Sequence, residues 1–221
     1  RPSVVLLENV KNFLTHDHGR TIATVRATLE ELGYSVSFKV LRSSDYGVPQ
    51  ARERVYIVGI NNFSGDFMFP EKLKSHKTVN DILLDLSNKE FKELQIDRPD
   101  MSFYRDEKAV KIPTSPLQIG KINKGGQGER IYSRYAAGIT LSAYGGGAAA
   151  KTGAYKVGRR VRKLHPVECL RMQGFPDYFK LGPSIVNSYQ QLGNSVSVPV
   201  IKALGQSILD QAFVQDVRQA G

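Results

Sequence analysis

Residues 4–10 read VVLLENV, and the four consecutive apolar residues Val4 to Leu7 constrain the fold more than any other stretch. A run of this length with no polar alternation reads as a strand buried on both faces, the kind found inside a parallel sheet. A strand of that kind belongs to a layered α/β architecture. The residues that follow agree. Ile22, Val25, Leu29 and Leu32 recur at helical spacing, and Gly33 suits the position just past a helix end. Val36, Phe38 and Val40 alternate with polar residues, and RVYIVGI at 54–60 reads as a further strand. The order strand, helix, strand, loop, strand predicts part of an α/β sheet.

The character changes after about Phe69. Residues 70–115 are charged with scattered prolines, and residues 118–160 contain the glycine clusters GGQG (125–128) and GGG (145–147). Between the clusters, ERIYSRYAAGITLSAY reads as short strands and turns, so a second, smaller domain is expected. LHPVECLRMQG predicts a short helix started by Pro166 and stopped by Gly174. Near the end, PVIKALGQSILDQAF puts Ile201, Leu204, Ile208 and Ala212 on one face, with Pro199 in the first turn. There is no tandem repeat.

Net charge matters here because it points to a partner. The chain carries 31 Lys and Arg against 21 Asp and Glu, a formal charge of +10. A surplus of that size favours an acidic polymer, most simply nucleic acid; a basic but otherwise ordinary enzyme is the alternative. No run of 18 apolar residues exists, so no membrane span is expected. A single cysteine, Cys169, excludes an internal disulfide and suits a cytoplasmic setting.

Three stretches are candidates for chemistry. Glu8 and Asn9 stand where ligands bind in open α/β sheets, beyond the carboxyl end of a strand. A partly desolvated carboxyl group there is raised in pKa and can act as a general acid. The alternatives are a helix cap or an ion pair with a nearby arginine. In YGVPQARERVYIVGI, alternation is expected to send Gln50, Arg52 and Arg54 to one face, where two guanidinium groups could hold a phosphate or a carbonyl oxygen. The alternative is a solvated edge strand. In QQLGNSVSVPV, a Gly-Asn-Ser turn feeding a helix offers backbone N–H groups and a small amide.

In order along the chain, ENV (8–10), QARER (50–54), RKLHPVECLRMQGFP (162–176) and GNSVSVPV (193–200) resemble four motifs of the DNA cytosine-C5 methyltransferases. A variable region separates the second motif from the third. KGGQGERIYS, ITLSAYGGG and AKTG in that region are similar to the target recognition domain of the GCGC-specific branch of the family. The resemblance implies an α/β fold: the C-terminal part of a Rossmann-like methyltransferase domain (1–80 and 193–221) plus a small, mostly β target recognition domain (81–192). It implies a bacterial restriction–modification enzyme that moves a methyl group from S-adenosylmethionine to C5 of a flipped-out cytosine in double-stranded DNA. In such enzymes a cysteine thiolate attacks C6 while a glutamate contacts N3 and the exocyclic amine.

Residue by residue, the resemblance makes Glu8 that glutamate, with Asn9 fixing its surroundings. Arg54 holds the base oxygen O2, and Arg52 sits near the phosphate or the glutamate. Asn194 and Ser195 lie where the closing turn meets the methyl donor and the DNA backbone. Gln127 fills the space left by the flipped cytosine, and Arg130 reads a guanine edge in the major groove. Thr140, Tyr144 and Gly147 approach the DNA backbone or bases, where glycine permits close approach; a flexible linker is the alternative for the glycine clusters. No metal site is implied.

The sequence departs from the family in one respect. It contains neither the glycine-containing loop that binds the methyl donor nor the Pro-Cys-Gln turn that carries the nucleophile. Cys169 matches a motif tied to packing of the recognition domain, so it is not expected to be the nucleophile. A further methyltransferase portion, on the order of 100 residues, is expected in the same polypeptide or in a second subunit. The competing reading is a sequence-specific DNA-binding module without turnover. A nucleotide-dependent oxidoreductase is disfavoured, since no GxGxxG follows a strand.

Overall fold

The computed structural model describes residues 1–213, and by contact it divides into two compact units. The first comprises Arg1–Arg42, Glu53–Lys72 and the residues from Val200 onward; the second comprises Ser43–Arg52 and Leu73–Pro199. Residues 214–221 of the expected catalytic segment lie outside the described residues.

The first unit contains β1 (Val4–Val10), α1 (Arg20–Glu31), β2 (Tyr34–Arg42) and β3 (Glu53–Asn61). The apolar spacing read from 22 to 32 does form the helix: Ile22 is buried, with Val25 and Leu29 packed beside it against Tyr34, Val36, Val55 and Ile57 of the sheet. Burying a side chain such as Ile22 contributes about 1.5–3 kcal/mol. Gly33 follows the helix at φ +92°, a conformation that costs a residue with a Cβ, and its N–H closes on Glu30 O.

Two expectations are corrected here. The sheet order is β1-β3-β2 and both pairings are antiparallel, not parallel. None of Val4–Leu7 is fully buried, and Leu7 is 39% exposed. The strand buried on both faces is the central one, β3, in which Val55, Tyr56, Ile57, Val58 and Ile60 are all buried. β1 pairs along one side only among the described residues, which explains its partial exposure.

The second unit contains a short helix, α2 (Asn88–Leu94), that the sequence reading did not anticipate. Its start is a capping box in which Ser87 and Glu90 satisfy each other's backbone donors. Five short strands follow: β4 (Met101–Phe103), β5 (Gln118–Ile122), β6 (Arg130–Tyr132), β7 (Ala154–Val157) and β8 (Arg160–Lys163). They form one sheet in chain order, antiparallel except between β6 and β7. Ile119, Ile122, Ile131, Ala154 and Val161 form its core. Residues 139–144, expected to include strand, run instead as a loop.

Helix α3 (Pro166–Gln173) starts and stops as the sequence indicates. Pro166 occupies its first turn, His165 Nδ1 accepts from Val167 N, Glu168 Oε2 accepts from His165 N, and Gly174 takes the left-handed conformation at φ +80°. A further helix, α4 (Ile185–Asn194), was not foreseen. It corrects the reading of Gly-Asn-Ser as a turn that only feeds a helix. Gly193 and Asn194 form the last turn of α4, Ser195 caps it, and the next helix, α5 (Val198–Ile208), begins three residues later. Along α5, Val200, Leu204 and Ile208 are buried while Ile201 is half-buried. No helix among the described residues is long and apolar enough to cross a membrane.

Candidate functional site

In the first unit, the antiparallel register sets Val10 opposite Arg54 and Glu8 opposite Tyr56, so Glu8 and Arg54 are diagonal neighbours. Arg54 Nε lies 3.1 Å from Glu8 Oε1, with the glutamate side chain 27% exposed. That oxygen is shielded from solvent, yet no N–H is aligned on it as a hydrogen bond. The geometry is therefore an ion pair by distance with unused acceptor capacity. Arg54 Nη1 donates to Glu53 O, which fixes the guanidinium plane. Asn9 Oδ1 accepts from Val10 N at 2.8 Å and shapes the end of β1 immediately beside the glutamate. A neighbouring pair, Lys11 Nζ to Glu53 Oε2 at 3.0 Å, lies further out.

Gln50, Arg52 and Arg54 do not share a strand face. The strand begins only at Glu53, after the Ser43–Tyr46 helical turn and the left-handed Gly47, so alternation governs Arg54 alone. Gln50 and Arg52 are buried in the second unit. Arg52 Nη1 donates to Gly193 O at 3.1 Å and reaches Leu141 O at 3.4 Å; Nη2 donates to Ser195 O at 2.9 Å. Gln50 Oε1 accepts from Leu141 N, while Nε2 donates to Met172 O and Gln173 Oε1. Thr140 Oγ1 donates to Ala51 O. Segment 50–52 thereby fastens segment 140–141 and the end of α4 to each other. Arg52 and Ser195, both singled out in the sequence, are brought into direct contact; Arg54 meets Glu8 instead.

The two glycine clusters form a second site. Gly128 lies so close to Gly146 O and Gly147 that a Cβ on Gly128 has no room, and a Cβ on Gly147 would stand 2.7 Å from Gly128 O. Ala149 N donates to Gly128 O at 2.8 Å across the same contact. The clusters are thus packed backbone on backbone, which a flexible linker is not. Gln127, Thr140, Tyr144 and Gly145 line one cleft of about 190 Å³. Ser142 and Lys151 also line it and were missed in the sequence reading. Lys151 has φ +73°, an uncommon conformation for a residue with a Cβ, and its carbonyl accepts from Ser142 N. Tyr144 is 70% exposed, and its Oη accepts from Gln190 Nε2 at 3.0 Å. Arg130 is exposed at the start of β6; its Nε reaches Gly125 O at 3.4 Å, and it takes part in no ion pair among the described residues. Gly147 stands beside this cleft rather than in its lining.

Asn194 is exposed, and among the described residues its carboxamide makes no hydrogen bond within the chain, so donors and acceptors remain for a polar ligand. The turn that carries it is fixed by Arg52 and by Ser195 Oγ donating to Leu192 O. This donor set fits a polar, hydrogen-bonding cofactor at that turn. Cys169 is a different case. It is fully buried in the core around α3 and α4, and burial pushes its thiol well above the ordinary range. A thiol held neutral and shielded in this way does not act as a nucleophile.

A sequence model of the family described as C-5 cytosine-specific DNA methylase matches residues 1–210. Among curated proteins, the chain is 46% identical over 210 residues to the type II methyltransferase M.HhaI of Haemophilus parahaemolyticus. It is 34% identical over 208 residues to the type II methyltransferase M.NlaX of Neisseria lactamica. Each match covers 94% of this chain and 63% of the relative, so the chain spans less than two thirds of their length. Among solved structures, the S. pombe Dnmt2 methyltransferase superposes with a TM-score of 0.68 at 18% identity, covering 95% of this chain and 65% of that one. The Entamoeba histolytica methyltransferase EhMeth gives 0.66 at 18% identity, covering 95% and 63%. At that identity the likeness establishes the fold: α/β and Rossmann-like, with a separate small sheet.

Proposed function

The chain belongs to the C-5 cytosine-specific DNA methylase family, and from that premise we propose that it supplies the base-holding and sequence-reading parts of a restriction–modification methyltransferase acting on cytosine C5 in GCGC duplexes. The observation that carries the reading is the Glu8–Arg54 pair, whose shielded oxygen at 3.1 Å has no aligned donor. Protonated on one oxygen, Glu8 donates to N3 of a flipped cytosine, and its other oxygen accepts from the exocyclic amine. Arg54 donates to O2, and Asn9 keeps the end of β1 in register beside them. As negative charge builds on the ring, the Glu8 proton is positioned to neutralise it at N3. Stabilisation of that kind is strongest where water is excluded.

S-adenosylmethionine, when bound, supplies the methyl group; Asn194 and Ser195 hold its polar groups, and Arg52 keeps their turn in place. Residues 1–80 and 193–221 serve catalysis and 81–192 serve recognition. In the recognition part, Gln127 occupies the space the cytosine leaves, Arg130 reads a guanine, and Thr140, Tyr144 and Gly147 meet the DNA backbone or bases. The +10 charge supports a DNA partner. With Cys169 buried, the nucleophile comes from residues outside this sequence, in the same polypeptide or a companion subunit. That same burial favours the second reading, a DNA-binding module when this chain acts alone.

Radiolabelled methyl transfer to a GCGC duplex and to a scrambled duplex tests the proposal, using the complete methyltransferase that contains this sequence. Transfer confined to GCGC is expected, and Arg130→Ala is expected to cost about 1–3 kcal/mol of guanine discrimination. Binding to GCGC without transfer would favour the binding module. Equal weakening on every sequence would make Arg130 a phosphate contact.

A further inference from the structure

Gln173 closes α3 in the second unit with no exposed surface, and the motif it belongs to left it without a role. Its Oε1 accepts from Gln50 Nε2 at 3.1 Å and from Ser197 Oγ at 3.0 Å. Its Nε2 donates to Leu192 O at 2.7 Å and reaches Ser195 O at 3.5 Å. Both lone pairs and both N–H groups are therefore engaged, so the orientation of the carboxamide is set by the network around it. Leu192 O is one of the last carbonyls of α4, which a helix leaves without an internal backbone partner, and Gln173 Nε2 donates to it at 2.7 Å beside Ser195 Oγ at 2.9 Å. On the other side, Gln50 passes the connection to Leu141 N at 3.0 Å. A single buried amide thus ties the end of α4, the turn 195–197 and the recognition segment at Leu141 together.

We propose that Gln173 is a positioning residue for methyl-donor binding: through Leu192 O, Ser195 O and Ser197 Oγ it sets the place of the turn that presents Asn194 and Ser195. The inference rests on the reading above that this turn holds S-adenosylmethionine. A methionine of similar length fills the same space but removes one of two partners from each of Leu192 O, Gln50 Nε2 and Ser197 Oγ. The turn then keeps Arg52, the Ser195 Oγ bond to Leu192 O and the Ser43–Ser197 hydroxyl pair, but loses the amide that joins them.

The test is equilibrium binding of S-adenosylmethionine and of a GCGC duplex by the complete methyltransferase, alongside steady-state kinetics. Gln173→Met is expected to weaken cofactor binding about fivefold to tenfold, from the loss of one or two hydrogen bonds. Duplex binding and kcat at saturating cofactor are expected to stay within about twofold, so KM for the cofactor carries the effect. Asn194→Ala is the control. If Asn194→Ala weakens cofactor binding and Gln173→Met does not, the inference is wrong and the reading of the turn survives. If Asn194→Ala binds as the parent does, that reading fails and the inference falls with it. Should Gln173→Met not fold, Ser197→Ala removes one donor to the same oxygen and must weaken cofactor binding selectively, by about twofold; unchanged or unselective binding there overturns the inference.

Discussion

Glu168 and Glu8 each stand beside an arginine, in different units and in opposite condition. Glu168 accepts from both Nη atoms of Arg162 at 2.7 Å, from Leu84 N at 2.8 Å and from His165 N at 2.7 Å, and its side chain has no exposure. Every acceptor position is satisfied, as a buried charge requires. Glu8 meets Arg54 with one poorly aligned contact and stays 27% exposed. The saturated carboxylate can bind nothing further, so its role is to hold α3 against β8 and Leu84. The unsaturated one keeps acceptor capacity at an open strand end. Charge and partner type are the same in both; the difference in hydrogen-bond saturation separates a structural ion pair from a candidate catalytic one.

Substitutions can break this contrast, and the largest effect on stability is expected at the saturated pair. Glu168→Gln leaves Arg162 buried without its counter-charge and is expected to destabilise the protein by about 3–5 kcal/mol, read by chemical denaturation. A loss below about 1 kcal/mol would show that Glu168 is as replaceable as an exposed carboxylate. Next comes the glycine contact beside the cleft lined by Gln127 and Tyr144. Gly128 has φ −90°, so alanine is locally permitted there, and any effect comes from the collision with Gly146 O. Gly128→Ala is expected to cost about 1–3 kcal/mol of stability and to reduce preference for GCGC over a scrambled duplex in binding titrations. Unchanged stability and preference would mean that the two clusters separate freely. The smallest effect on stability is expected at Glu8. Glu8→Gln removes a part-exposed, misaligned pair and should change unfolding free energy by less than about 1 kcal/mol.

The same contrast marks what could be read from the sequence. Helix α1, strands β2 and β3, and the stop of α3 at Gly174 were legible because apolar period and turn residues determine them locally. Strand direction was not, since an apolar run looks alike in parallel and antiparallel sheets. The connection over residues 43–52 carried the missing signal: it is short and has no α-helix to make the crossover that parallel neighbours need. Gln50 and Arg52 were visible as polar residues at a regular spacing, but their burial was not. Their partners at Leu141, Met172, Gln173, Gly193 and Ser195 are distant in sequence. Helix α4 was missed because its second half, Gln190 to Asn194, contains one apolar residue and a glycine; Gly193 is required there because any Cβ would collide with Ser142 and Ala143. Glu8 and Arg54 were both legible as candidates, whereas the misaligned contact between them depends on the β1–β3 register.

The central claim is that the unsaturated glutamate, and not the buried cysteine, contributes the chemistry of this chain. Methyl transfer by the complete methyltransferase carrying Glu8→Gln, measured together with its affinity for a GCGC duplex, tests it most directly. The account predicts turnover reduced by about 100-fold or more with duplex affinity and stability nearly unchanged. Turnover equal to that of the parent enzyme would contradict it and leave Glu8–Arg54 as an ordinary strand-end ion pair.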